Sequence, residues 1–190
     1  MHFWAGKIAG IVSLIAFIPY CISAIQGKNR PNRATWFIWF FVSLILLASY
    51  RSAGATDAIW VSVANVFIIG LVALLSIKYG EGGFNLFDIS CFLGAMVGLV
   101  LWWFLRSPLP ALYISVIIDF IGALPTLKKS YLNPHEENRL TWALFWLANT
   151  INLFAINQWT WAMAAYPLYL FFISGTILWI LVFRSEKNTV

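Results

Sequence analysis

A chain of 190 residues that is 62% hydrophobic and only 10% charged lies far from the roughly 25% charged content of soluble domains, so water is not its main solvent. Its net charge of +5 comes from basic residues gathered at the joints between long apolar stretches, the distribution that anionic headgroups demand, and it calls for no nucleic-acid partner. Cys21 and Cys91 are too few for a disulfide framework or a metal site, and His2 and His135 both stand at membrane edges, so neither an enzyme nor a cofactor is expected.

The apolar stretches predict seven helices, over 5–26, 34–50, 57–78, 87–105, 108–127, 139–156 and 159–183. Each is near the ~20 residues that cross ~30 Å of hydrocarbon. Unpaired backbone is not tolerated in lipid, and no segment alternates as a barrel strand would, so the fold class is an all-α integral membrane protein. The short joints leave no room for a separate catalytic domain, and the chain is expected to work within or across the bilayer.

In the first span Lys7 precedes the apolar run, but Lys28, Arg30 and Arg33 follow it, which reads as a mature helix rather than a signal peptide. Pro19 kinks its far end. The second span opens with Arg33 snorkelling toward phosphate and Thr35 capping the helix, and continues through Trp36, Trp39 and Ser43. The third carries Asn65 at mid-depth. The fourth holds Gly94 and Gly98, a small-xxx-small pair that either docks it closely or is a chance spacing.

The fifth span contains Asp119, the only carboxylate deep inside a predicted span, about 16 Å from Pro108 at 1.5 Å per residue. A carboxyl group there must be paired, hydrated or protonated, so it either binds solute, proton or cation, or holds helices together. Pro125 and then Lys128 and Lys129 close this span. The sixth opens with Arg139 and Thr141 and carries Trp142, Trp146, Asn149, Thr150 and Asn152. Trp36, Trp39, Trp142 and Trp146 either anchor to headgroups or form a stacking platform for a planar or sugar solute. The seventh span has Pro167 but no lysine, which excludes a retinal Schiff base.

With seven spans, Lys28, Arg30, Arg33, Lys78, Lys128, Lys129, Arg139, Arg184 and Lys187 share one side, against Lys7, Arg51 and Arg106 on the other. That asymmetry places the N-terminus outside and the C-terminus in the cytoplasm, most simply of a plasma membrane. Laid on itself at an offset of 106 residues, the chain matches Asn32-Arg33-Ala34-Thr35-Trp36 to Asn138-Arg139-Leu140-Thr141-Trp142, and Pro19 falls on Pro125. Spans one to three thus repeat in spans five to seven. Residues 1–80 and 107–190 form two three-helix bundles in the same orientation, joined by a linker helix over 81–106.

This 3+1+3 plan, with a proline near the cytoplasmic end of the first helix of each trio and Leu124-Pro125-Thr126 before Lys128-Lys129, resembles the SWEET and PQ-loop superfamily. The repeats read Pro19-Tyr20 and Pro125-Thr126 where PQ-loop proteins carry Pro-Gln. Trp36-x-x-Trp39-x-x-x-Ser43 and Trp142-x-x-Phe145-x-x-x-Asn149 are partly similar to the Trp-x-x-Trp-x-x-x-Asn pattern of Pnu-type vitamin transporters. The resemblance implies a transporter or facilitator of a small polar solute (sugar, vitamin or amino acid) working by alternating access at a midplane site. It also implies that Asn65 contacts solute, with Tyr166 and Pro167 in the matching region of span seven, and that a monomer or small homo-oligomer in membrane lipid suffices. The residues expected at the site are Asp119, Asn149, Asn65, Asn152, Ser43, Trp142, Trp146 and Trp39, with Pro19 and Pro125 as hinges. A sorting or signalling receptor of the same plan is the alternative, and it would want a charged outer cavity.

Overall fold

The computed structural model describes residues 2–82, 85–104 and 108–185. Among them the chain is helical without a strand: α1 (His2–Ile25), α2 (Arg33–Ser52), α3 (Ile59–Tyr79), α4 (Leu86–Phe104), α5 (Pro108–Leu132), α6 (Arg139–Leu153) and α7 (Trp161–Ser185), with a 3-10 turn at Pro134–Glu136. Four of these, α1, α2, α3 and α7, are long and apolar enough to cross a membrane. The seven predicted helices all form, with two differences in length. α5 runs on to Leu132 and so carries Lys128 and Lys129 on its last turns, whereas α6 stops at Leu153 and is about 22 Å long.

α2 and α6 begin alike. The side chains of Asn32 and Asn138 accept hydrogen bonds from the backbone N–H of Thr35 (3.1 Å) and Thr141 (3.0 Å), closing a free donor of each first turn. The asparagines, not the expected threonines, are therefore the caps. The threonine hydroxyls serve elsewhere: Thr141 donates to Asn138 Oδ1, and Thr126 on α5 donates to Thr35. Arg33 does not reach outward either, since its guanidinium donates to the Gly82 carbonyl at 3.2 Å.

α3 packs against both α1 and α2, and α7 against both α5 and α6. α1 lies along α6, α2 lies along α5, and α4 leans on α5 and α2. The faces follow the solvent argument. α1 turns Gly6, Gly10, Ser13 and Ala16 inward and leaves Ile8, Ile11, Ile15, Ile18 and Ile22 exposed, an outside of branched hydrocarbon around an inside of small and polar residues. Small residues matter most where α1 meets the start of α3: a Cβ on Gly6 would run into the backbone carbonyl of Asp57, and one on Gly10 would meet the Trp60 Cβ at 3.0 Å. Gly94 is different, because a methyl there would reach only Ile121 at 3.8 Å, so it does not mark a close docking of α4. The surroundings of Gly98 lie outside the described residues.

Gly6→Ala is expected to destabilise the protein by about 1–3 kcal/mol, because a backbone carbonyl cannot step aside as a side chain can. Gly94→Ala is expected to leave the melting temperature unchanged. Thermal unfolding of the two variants in detergent, compared with the parent chain, checks both.

Candidate functional site

Three layers are stacked along the helices, beginning at the end where the basic joints meet. In the first, Lys129 on α5 and Glu137 before α6 are both buried and pair at 2.5 Å. Glu137 also accepts from Trp142 Nε1 on α6 (2.9 Å) and from the Tyr20 hydroxyl on α1 (3.5 Å). The Lys129 ammonium donates to the carbonyl oxygens of Arg30 and Glu136 and has Glu81 at 4.0 Å. Partial burial holds the Glu81 carboxyl above its ordinary range against the pull of Lys129. Beside this knot the Asn138 amide donates to Ser23 (2.6 Å) and to the Pro19 carbonyl (3.5 Å), so the cap of α6 also grips the proline-bearing end of α1. Pro125 lines a cavity of about 250 Å³ on the other flank, shared with Asn32, Asp88, Lys128 and Lys129.

The second layer is a closed ring of aromatic contacts from α1, α2 and α6. Phe17 meets Trp36 (5.9 Å), Trp36 meets Trp39 (5.3 Å), Trp39 meets Trp142 (6.4 Å), Trp142 meets Phe145 (6.2 Å) and Phe145 returns to Phe17 (5.3 Å). Trp36, Trp39 and Trp142 are buried, so they are not headgroup anchors. Trp146 stands apart, facing Phe171 and Gly175 in a groove between α6 and α7. Thr150 bonds only back to its carbonyl.

The third layer lies at mid-depth and gathers around Asp119, which is 6% exposed. Its carboxylate accepts from the Tyr169 hydroxyl of α7 at 2.5 Å, and its backbone carbonyl accepts from Trp39 Nε1 of α2 at 2.9 Å. Tyr169 stacks on Tyr166 (6.4 Å), Tyr166 meets Tyr50 edge-on (5.9 Å), and the Asn65 side chain of α3 reaches Tyr166. Tyr50 itself donates to the Met163 carbonyl at 2.9 Å. One turn away, Asn149 donates to the Leu170 carbonyl (3.4 Å) and to Ser174 (3.3 Å). The side-chain carbonyl oxygens of Asn65, Asn149 and Asn152 and the Ser13 hydroxyl are buried without a partner.

The expected residues therefore divide. Asp119, Asn65 and Trp39 come together through Tyr166 and Tyr169, and Asn149 joins them through α7. Asn152 is buried beside them in sequence but bonded to nothing through its carbonyl oxygen. Ser43 returns its hydroxyl to the Phe40 carbonyl (2.8 Å), and Trp142 spends its N–H on Glu137. Sequence reasoning passed over Tyr50, Tyr169, Ser13 and the Lys129–Glu137 pair. Only Ser13 left a trace: at the offset of 106 it is the position that matches Asp119. Among the described residues no three His, Cys, Asp or Glu side chains gather as a metal site would require. Compared with protein-family models, with curated proteins and with solved structures, the chain has no match.

Removing one partner of a buried ion pair strands the other, so Glu137→Gln and Lys129→Met are each expected to cost about 3 kcal/mol or more. The double variant Lys129→Met/Glu137→Leu is expected to recover most of that loss. A double-mutant cycle by thermal unfolding reads the coupling; simple additivity would mean that the pair does not hold the joints together.

Proposed function

We propose that the chain is a membrane transporter or facilitator of a small polar solute, built as the SWEET-like plan implies. Seven spans form two trios, residues 1–80 and 107–190, around a linker helix over 81–106, with the N-terminus outside and the C-terminus in the cytoplasm of the plasma membrane. In support of the trios, exchanging α1, α2 and α3 for α5, α6 and α7 turns the α1–α6 contact into the α5–α2 contact, and α1–α3 and α2–α3 into α5–α7 and α6–α7. The matched caps of Asn32 and Asn138 support the same repeat. α6 is short for a span, and α1 and α7 pack along it.

The observation that carries the function is the mid-depth layer, where Asp119 lies with Asn65, Asn149 and Asn152, whose carbonyl oxygens are buried and unpaired. Each such oxygen costs about 1–3 kcal/mol unless a partner reaches it, and a polar solute is a partner that repays the cost. The two trios rock about this layer, Pro19 and Pro125 kinking α1 and α5 toward the basic end. There the Lys129–Glu137 knot closes the path and parts when the site opens inward.

The test is a thermal-shift screen of the purified protein against sugars, nucleosides, B vitamins and amino acids, followed by uptake into proteoliposomes. A solute is expected to raise the melting temperature, with binding weakened about tenfold or more in Asp119→Asn and Asn149→Ala. Ser43→Ala, which touches only its own turn, is expected to bind as the parent does. If no solute binds or is taken up, and the variants change stability alone, the layer locks helices and the transport reading falls.

A further inference from the structure

We infer that the solute taken at the mid-depth layer is an organic cation bearing N–H donors, a protonated amine or guanidine; this rests on the transport reading above. The argument is an inventory of what the layer has left to offer. Three of its donors are engaged: the Tyr169 hydroxyl on Asp119, the Tyr50 hydroxyl on the Met163 carbonyl, the Trp39 N–H on the Asp119 carbonyl; the Ser13 hydroxyl is unpaired and can accept as readily as donate. The Asn149 amide is held in one sense, because the Leu170 carbonyl can only accept, so its NH2 faces Leu170 and its oxygen faces away unpaired.

Beside that hydroxyl, what remains unpaired are acceptors. The carbonyl oxygens of Asn65, Asn149 and Asn152 have no partner, and these side chains are only 1%, 1% and 2% exposed. A sugar hydroxyl or an amide would bring acceptors as well as donors, and among the unpaired atoms its acceptors would find the Ser13 hydroxyl as a donor while the amide oxygens face them as acceptors. An ammonium or guanidinium group has donors alone.

The charge inventory points the same way. Among the described residues the ion pairs all belong to Lys129 at the basic end, and none reaches Asp119. The described lysines and arginines stand at helix ends or joints: Lys7 and Arg51 toward one end, Lys28, Arg30, Arg33, Lys78, Lys128, Lys129, Arg139 and Arg184 toward the other. A carboxylate at mid-depth therefore draws no cation from the protein itself. The stacked faces of Tyr166 and Tyr169 beside it suit a cation, whose attraction to an aromatic face grows when water is excluded.

The experiment compares matched probes by thermal shift at neutral pH: ethanolamine and agmatine as N–H cations, ethylene glycol as a neutral isostere, tetramethylammonium as a cation without donors, and sodium chloride for ionic strength. The N–H cations are expected to raise the melting temperature at concentrations where ethylene glycol, tetramethylammonium and sodium do not. The shift is expected to vanish in Asp119→Asn, to need about tenfold more amine in Asn149→Ala, and to survive in Asp119→Glu, which keeps the charge. Should Asp119→Asn fail to fold, the Asn149→Ala and Asp119→Glu pair decides. Equal shifts from amine and isostere, or an amine shift undiminished in Asp119→Asn, overturn the inference. Binding and uptake of a neutral solute without any amine preference overturn it while leaving the transport reading in place; no binding and no uptake of any probe overturn both.

Discussion

A lysine and a glutamate are costly to take out of water unless each meets the other, and the Lys129–Glu137 pair obliges four helix ends, at two joints, to meet. Lys129 ends α5, Glu137 precedes α6, Tyr20 comes from the end of α1, and the Arg30 carbonyl belongs to the turn before α2. Few alternative arrangements would satisfy all of these groups at once, because Lys129, Glu137 and Tyr20 are buried and would be costly to strand. The pair therefore fixes which helix ends converge, and the aromatic ring and the Asp119 layer follow from that convergence one and two steps further along the same helices.

The middle layer inverts that logic. Where Glu137 at the basic end is met by Lys129, Trp142 and Tyr20, the mid-depth asparagines are left with oxygens facing no donor. An interior built only for stability would have closed these groups against one another, as Ser43 closes against Phe40 and Thr150 against Trp146.

Much of this was legible in the chain. Apolar runs bounded by basic joints gave all seven helices, because in hydrocarbon length and hydrophobicity decide where a helix forms. Asp119 announced itself by being a lone carboxylate in an apolar run, and Asn65 and Asn149 by their depth. The tyrosines that complete the layer did not, since a tyrosine in a membrane helix is too ordinary to signal, and the contact of Tyr169 with Asp119 joins residues 50 apart in the chain. The ion pair was hidden for a related reason: Lys129 counted as one of many basic residues setting orientation, and only the path of the joint through Pro134–Glu136 brings Glu137 under it. The caps were misread because Asn and Thr alternate in the same short motif, and only geometry says which side chain folds back onto the helix. Arg106 and Lys187, which entered the reckoning of orientation, lie outside the described residues.

The aromatic ring has a spectroscopic consequence. Of the chain's 11 tryptophans, Trp36, Trp39 and Trp142 sit inside the ring, between α1, α2 and α6, while Trp4, Trp103, Trp159, Trp161 and Trp179 face outward. Indole emission depends on the polarity of its surroundings, and the Trp142 N–H is hydrogen-bonded directly to one member of the ion pair. Parting the basic end would therefore wet and recolour the inner indoles while those bathed in lipid stay as they were. The inner indoles would in that way report optically on any opening of that end.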